Sequence, residues 1–293
     1  MPTEPTRIDL PSEGGQTVAA FRWLPSGDPR GVVQLTHGMG EHVRRYDHLA
    51  GVLTRAGFLV QGQDHRGHGA TAQANGTQPG SLGQGGWPAL VDDVGRLVEL
   101  GRQDFPGVPL ILLGHSMGSF AVQQYLLDHS EDVDAAVLTG TTLLDMIEAG
   151  LDTSAEIDLS GFNAPFAPAR TDFDWLSRDE AQVDAYVADP WCGFGLDSTA
   201  GTEMLTGGRA VADAQRLAAM RQDLPVYIAV GEHDPVGGPV VVAQALAERY
   251  RGTGLKDVTF RVWPGGRHEI LNETNRDEVE GELLSWIEGA VRA

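Results

Sequence analysis

Residues 109–127 read PLILLGHSMGSFAVQQYLL. Pro109 to Gly114 is a nearly unbroken apolar run, the mark of a strand buried on both faces of a parallel sheet. From Met117 to Leu127 the spacing predicts a helix. Between them stands Gly114-His115-Ser116-Met117-Gly118, a G-x-S-x-G match at a strand-to-helix junction. A serine on such a turn has strained backbone angles and an exposed hydroxyl. Glycines two before and two after keep side chains out of the neighbouring strand and helix. The helix start adds partial positive charge beside it. Ser116 is therefore the candidate nucleophile.

The same rhythm runs outward in both directions. Strands are predicted at Val18–Leu24, Gly31–Thr36, Phe58–Gln63, Val133–Thr139, Pro225–Val230 and Val258–Val262. Helices are predicted at Tyr46–Ala56, Trp87–Leu100, Val211–Met220, Val240–Tyr250 and Glu278–Val291. This alternation argues for an α/β fold, a mostly parallel sheet with helices on both faces. The rhythm breaks from about Leu143 to Ala210, where no strand pattern stands out but seven of the twenty aromatics and many carboxylates do. A structureless loop of that length is improbable inside a compact domain. The expected organisation is a core of residues 1–142 and 211–293 with a helical cap, or lid, inserted at 143–210. The Gly-rich stretch Gly76–Gly86 reads as a loop.

A serine hydroxyl needs a base, and the order Ser…acid…His places that base late in the chain. His233 and His268 are the late histidines. His268 lies in a loop between the last strand and the last helix, where a side chain reaches over the carboxyl edge of the sheet, and it is favoured. The acid candidate is Asp234, just after the strand ending near Val230; Glu232, two residues away, is its rival, while Asp64 precedes Ser116 and has the wrong order. The oxyanion hole needs two backbone amides. Met117 follows the nucleophile, and Met39 lies in the His37-Gly-Met-Gly-Glu-His42 loop after an early strand. His65 and His68 lack a completing ligand pattern and read as structural. Glu41 and Arg45 read as an i,i+4 helix pair.

Composition excludes several classes. Of 293 residues 41% are hydrophobic, enough for a core. No apolar run approaches the ~18–20 residues that span a bilayer, and the N-terminus does not read as a secretory signal. The charge is 21 − 41 = −20, so phosphate backbones are repelled and nucleic-acid binding is not expected. The single cysteine, Cys192, excludes an intrachain disulfide and a cysteine-based zinc site. It reads as packing. These features fit a cytoplasmic enzyme needing no metal and no cofactor.

Five motifs in order, His37-Gly-Met-Gly-Glu-His42, Asp64-His-Arg-Gly-His-Gly69, Gly114-His-Ser-Met-Gly118, Glu232-His-Asp-Pro235 and Gly266-Arg-His-Glu269, resemble the monoacylglycerol lipase and lysophospholipase branch of the α/β-hydrolases. The resemblance covers roughly residues 15–140 and 210–290. It implies an eight-stranded sheet, a cap over the site and hydrolysis of esters with one acyl chain. The family's nucleophile, acid, base and oxyanion donors fall on Ser116, Asp234, His268, Met39 and Met117. The partner expected is a small-molecule ester or lipid. The many carboxylates of the cap imply at most transient membrane contact, and nothing in the sequence fixes the oligomeric state. A short-chain carboxylesterase, a peptidase or a perhydrolase shares the same triad, and a silent binding module shares the fold.

Overall fold

The computed structural model describes residues 4–292. Eight strands form one sheet: β1 (Thr6–Pro11), β2 (Thr17–Trp23), β3 (Val32–Thr36), β4 (Leu59–Gln63), β5 (Leu110–His115), β6 (Ala135–Thr139), β7 (Val226–Gly231) and β8 (Val258–Trp263). Their order is β1-β2-β4-β3-β5-β6-β7-β8. β2 runs antiparallel to β1 and β4, and every other pairing is parallel. This is the α/β-hydrolase arrangement that the resemblance implies. β5 lies between β3 and β6 and is buried along its whole length, which is why its sequence is apolar without alternation. The first strand escaped the sequence reading. β1 is an edge strand with only Ile8 and Leu10 as large aliphatic residues, too short an alternation to stand out.

Ten helices accompany the sheet among the described residues: α1 (Asp47–Arg55), α2 (Gly69–Asn75), α3 (Gly86–Asp104), α4 (Met117–His129), α5 (Leu144–Ile147), α6 (Glu180–Ala188), α7 (Ser198–Gly208), α8 (Ala214–Ala219), α9 (Val240–Gly252) and α10 (Arg276–Ala290). The core is split by the sheet. Leu110 and Leu112 of β5 point into a cluster with α3, α4 and α9, while Ile111 and Leu113 point into one with α1 and α10. That is the period-2 geometry of a strand. The helix expected at Val211–Met220 is broken. Asp213 accepts hydrogen bonds from the Gln215 and Arg216 amides, so a new helix, α8, starts there after a 3-10 turn at Arg209–Ala212. α2 was not expected, because GATAQAN carries no apolar stripe.

Between β6 and β7 the chain forms α5 to α8 and several 3-10 turns, with no strand. Leu159, Trp175, Leu176, Tyr186, Leu196 and Met204 of this segment are buried in the same apolar cluster as α4.

One buried ion pair ties the early loops together. Arg66, fully buried, donates from Nε to Asp93 Oδ2 at 2.7 Å and from Nη1 to the Gln84 carbonyl at 2.6 Å. Its Nη2 donates to Ser12 Oγ at 2.6 Å. Removing one partner strands a buried charge, which typically costs about 3–5 kcal/mol. Asp93→Ala should therefore lower stability by that amount in urea unfolding. The double variant Arg66→Met/Asp93→Ala should lose less than the single one, and an equal or larger loss would show that the hydrogen bonds to backbone, not the charge pair, dominate.

Candidate active site

Ser116 connects β5 to α4 with φ 51° and ψ −122°. It is the only non-glycine residue with positive φ among the described residues, a conformation costing on the order of 1–3 kcal/mol. Its surroundings hold it there. Its amide donates to the Thr139 carbonyl of β6 at 2.9 Å. Its carbonyl accepts from the Ser119 amide at 2.8 Å and from Ser119 Oγ at 2.6 Å. The flanking glycines are steric necessities. A Cβ at Gly118 would lie 2.1 Å from the Thr36 carbonyl oxygen, and one at Gly114 would lie 2.7 Å from that of Gly118.

His268 and Asp234 come together because two loops touch. A Cβ at Gly231, at the end of β7, would lie 2.1 Å from the Arg267 carbonyl oxygen. The His233 amide donates to the Gly266 carbonyl at 2.8 Å. This contact sets His268 Nδ1 at 2.9 Å from both Asp234 carboxylate oxygens, so Nδ1–H donates and Nε2 is left free. Asp234 Oδ1 also accepts from the Val236 amide at 2.9 Å. Glu232 points elsewhere, accepting from the Gly265 amide at 2.8 Å, and His233 is exposed. Asp64 is occupied by the amides of Val43 and Ala70.

Burial pulls the His268 pKa down, but the Asp234 charge and hydrogen bond, with Glu269 and Glu41 behind them, outweigh it and hold it above the ordinary 6.5. Burial pushes Asp234 up, and the His268 charge and hydrogen bond outweigh that, holding it below the usual carboxylate range. Two rings flank the imidazole. His115 lies 4.8 Å and Trp175 5.1 Å away between centroids. Burial drives His115 down to about 4, so it is neutral. Ser116 and His268 line one pocket. Ser116 Oγ has no hydrogen-bond partner among the described residues, and such contacts often form only when substrate is bound.

The Met39 loop is fixed on both sides of that residue. The Gly38 amide donates to Glu41 Oε1 at 2.6 Å, and the Gly40 amide to His68 Nε2 at 3.2 Å. Tyr186 donates its hydroxyl to the Gly40 carbonyl at 2.8 Å. The Met39 amide has no protein acceptor among the described residues, and neither does that of Met117 at the start of α4. His37, His65 and His68 form a buried cluster beneath this loop, with His37 centred 4.2 Å from His65 and 5.3 Å from His68. Burial lowers all three pKa values, so they are neutral props.

The sequence reading undervalued Arg45. It is not a simple helix-surface partner of Glu41. It bridges the buried carboxylates of Glu41, at 2.7 Å, and Glu269, at 2.5 and 2.8 Å, and lies over the Tyr186 ring at 4.7 Å. It thereby links the Met39 loop to the His268 loop. Half of the residues lining the pocket come from the β6–β7 segment, among them Leu144, Ile147, Ile157, Leu159, Phe162 and Met204. Two groups of side chains with metal-capable atoms within 4.8 Å of one another lie outside this lining: His42, Asp189 and Cys192, and His48, Asp277 and Glu280.

A family model described as serine aminopeptidase, S33, matches residues 27–275. The monoacylglycerol lipase of Mycolicibacterium smegmatis is 35% identical over 277 residues, covering 94% of this chain and 94% of that protein. The monoglyceride lipase of Mus musculus is 31% identical over 293 residues, covering 97% and 92%. Among solved structures, a thermostable carboxyl esterase from Bacillus coagulans in complex with glycerol has a TM-score of 0.86 at 29% identity, covering 99% of each chain.

The electrostatics make a direct prediction. Asp234 favours the protonated imidazole, so His268 should titrate above 6.5 by NMR in the wild type. Asp234→Asn removes the charge and leaves burial to dominate, so the value should drop. An unchanged titration in the variant would locate the cause elsewhere, in Glu269 or Glu41.

Proposed function

The chain belongs to the serine aminopeptidase S33 family of α/β-hydrolases, and from that premise we propose that it is a serine ester hydrolase that removes the acyl chain from monoacylglycerol-type lipids. The observation that carries this reading is the strained Ser116 sharing one apolar pocket with a buried His268–Asp234 pair. Ser116 Oγ attacks the ester carbonyl carbon as His268 Nε2 takes its proton. The oxyanion receives the Met39 and Met117 amides, donors of a kind worth about 2.7–4 kcal/mol of barrier each. The intermediate collapses, the C–O bond to the alcohol breaks, and His268 returns the proton to the leaving oxygen. Water then attacks the acyl-enzyme by the same route and frees the fatty acid and Ser116. Asp234 holds the imidazole tautomer and stabilises the imidazolium. The protein's own residues supply every proton transfer.

Residues 143–210 act as a cap whose apolar wall receives the acyl chain. A peptide substrate fits less well. The carboxylates at the pocket, Glu41 and Glu269, are already engaged by Arg45, so neither is free to receive an amino terminus. No described helix is long and apolar enough to cross a membrane. We place the enzyme in the cytoplasm, with at most transient contact with lipid surfaces.

A fluorophosphonate probe should label wild type and not Ser116→Ala, and the substitution should lower kcat on a monoacylglycerol by about a million-fold. kcat/KM should fall on the acid side with a midpoint above 6.5, because the base must be neutral and its pKa is raised. Labelling of Ser116→Ala would remove the proposed nucleophile. Cleavage of aminoacyl amides without cleavage of monoacylglycerols would replace the esterase reading by a peptidase.

A further inference from the structure

Asp277 and Glu280 stand three residues apart near the start of α10 and so share one face of it. His48 comes from the first turn of α1, and the two helices meet in the cluster that holds Leu49, Leu53, Leu283 and Ile287. One donor atom from each of His48, Asp277 and Glu280 lies within 4.8 Å of the others, and His48 Nε2 is 3.2 Å from Glu280 Oε2. Asp277 has an ordinary reason for its place, since carboxylates are favoured at helix starts. Glu280 has none. Its side chain is 3% exposed, and its Oε1 is buried with no hydrogen-bond partner. Arg55 and Arg276 act on it through space, yet among the described residues only His48 comes within ion-pair distance. A buried carboxylate with an orphaned oxygen is costly, and a native structure holds one for a reason.

We propose that His48, Asp277 and Glu280 bind a divalent transition-metal ion of the Zn²⁺ class that staples α1 to α10. One imidazole and two carboxylates suit this ion, with water completing a tetrahedral shell. Bound through the Glu280 oxygen that faces His48, the ion neutralises a buried carboxylate that has no other cation within ion-pair distance among the described residues, and Asp277 balances its second charge. His48 and Asp277 are exposed and provide the entry path. α10 begins at Arg276, shortly after His268 and Glu269, so the staple also anchors the loop that carries them. The proposal does not rest on the reading of Ser116 and survives or fails without it.

The probe is Zn²⁺ alone. EDTA-stripped protein is titrated by calorimetry in a Cys192→Ser background, so that the thiol beside His42 and Asp189 does not compete. One ion per chain should bind and raise the unfolding temperature. Glu280→Gln keeps the side-chain shape and should weaken binding roughly tenfold or more and abolish the thermal shift, as should His48→Ala. Equal Zn²⁺ affinity in Glu280→Gln overturns the site. So does the absence of both heat and thermal shift up to about 1 mM Zn²⁺. If His48→Ala does not fold, Glu280→Gln decides alone.

Discussion

The turn at Ser116 can exist only because no side chain stands at 114 or 118. The start of α4 must lie against the end of β3 for the serine to protrude, and the Gly118 Cα is so near the Thr36 carbonyl that even a methyl would overlap it. The strain at Ser116 is held by that close packing and by the amide bond to Thr139. The rest of the site follows from it. Once β5 is central, its neighbours β3 and β6 must end at the same level. The loop after β3 then brings Met39 beside Ser116, and the strand beyond β6 brings Asp234.

A second constraint is electrostatic. Around His268 sit the carboxylates of Asp234, Glu41 and Glu269, the last two bridged by the Arg45 guanidinium. This excess of negative charge, held in a water-poor setting, favours an imidazolium more strongly than it would in water. Arg45 keeps the excess from becoming ruinous. Without it two buried carboxylates would face each other across the Met39 and His268 loops, and one would have to take up a proton. The same guanidinium thus fixes the geometry of two loops and the charge that one of them feels. In the proposed reaction that charge is useful only while His268 carries a proton, between attack on the ester and departure of the alcohol.

What was legible in the sequence was local. The β5–α4 junction, the glycines around Ser116 and the alternation of strands and helices along the chain rest on neighbours in the chain, and periodicity reports neighbours. The choice between Asp234 and Glu232 was not local, since it depends on Gly231 meeting the Arg267 carbonyl. The Glu41–Arg45 pair was legible at its i,i+4 spacing, but the bridge from Arg45 to Glu269 was not, because Glu269 lies 224 residues away. Trp175 looked like any other aromatic of the inserted segment, and only the fold sets its ring against His268. The break at Asp213 was readable in principle, as an aspartate ahead of a helix start, but the apolar spacing across it masked the signal.

The carboxylates of residues 143–210 bear on how that segment can be polar in composition and apolar towards the pocket. Its helices and turns are short, and a short helix has few internal hydrogen bonds and many unpaired amides at its start. Asp158, Asp179 and Asp197 each accept an amide at such a start. Asp174 accepts from the Arg170 and Thr171 amides, and Asp189 from Trp191. Much of the acidity therefore serves to close turns, and the hydrogen bonds that do so keep Asp158, Asp174 and Asp189 ionised. A wall built from brief, individually capped pieces exposes a different apolar side chain at each bend. Leu144, Ile157, Leu159 and Met204 reach the pocket from separate pieces, and Phe162 joins them from the same 3-10 turn as Leu159. The wall of the pocket is thus set by how these short pieces pack on α4 and the sheet rather than by one long helix.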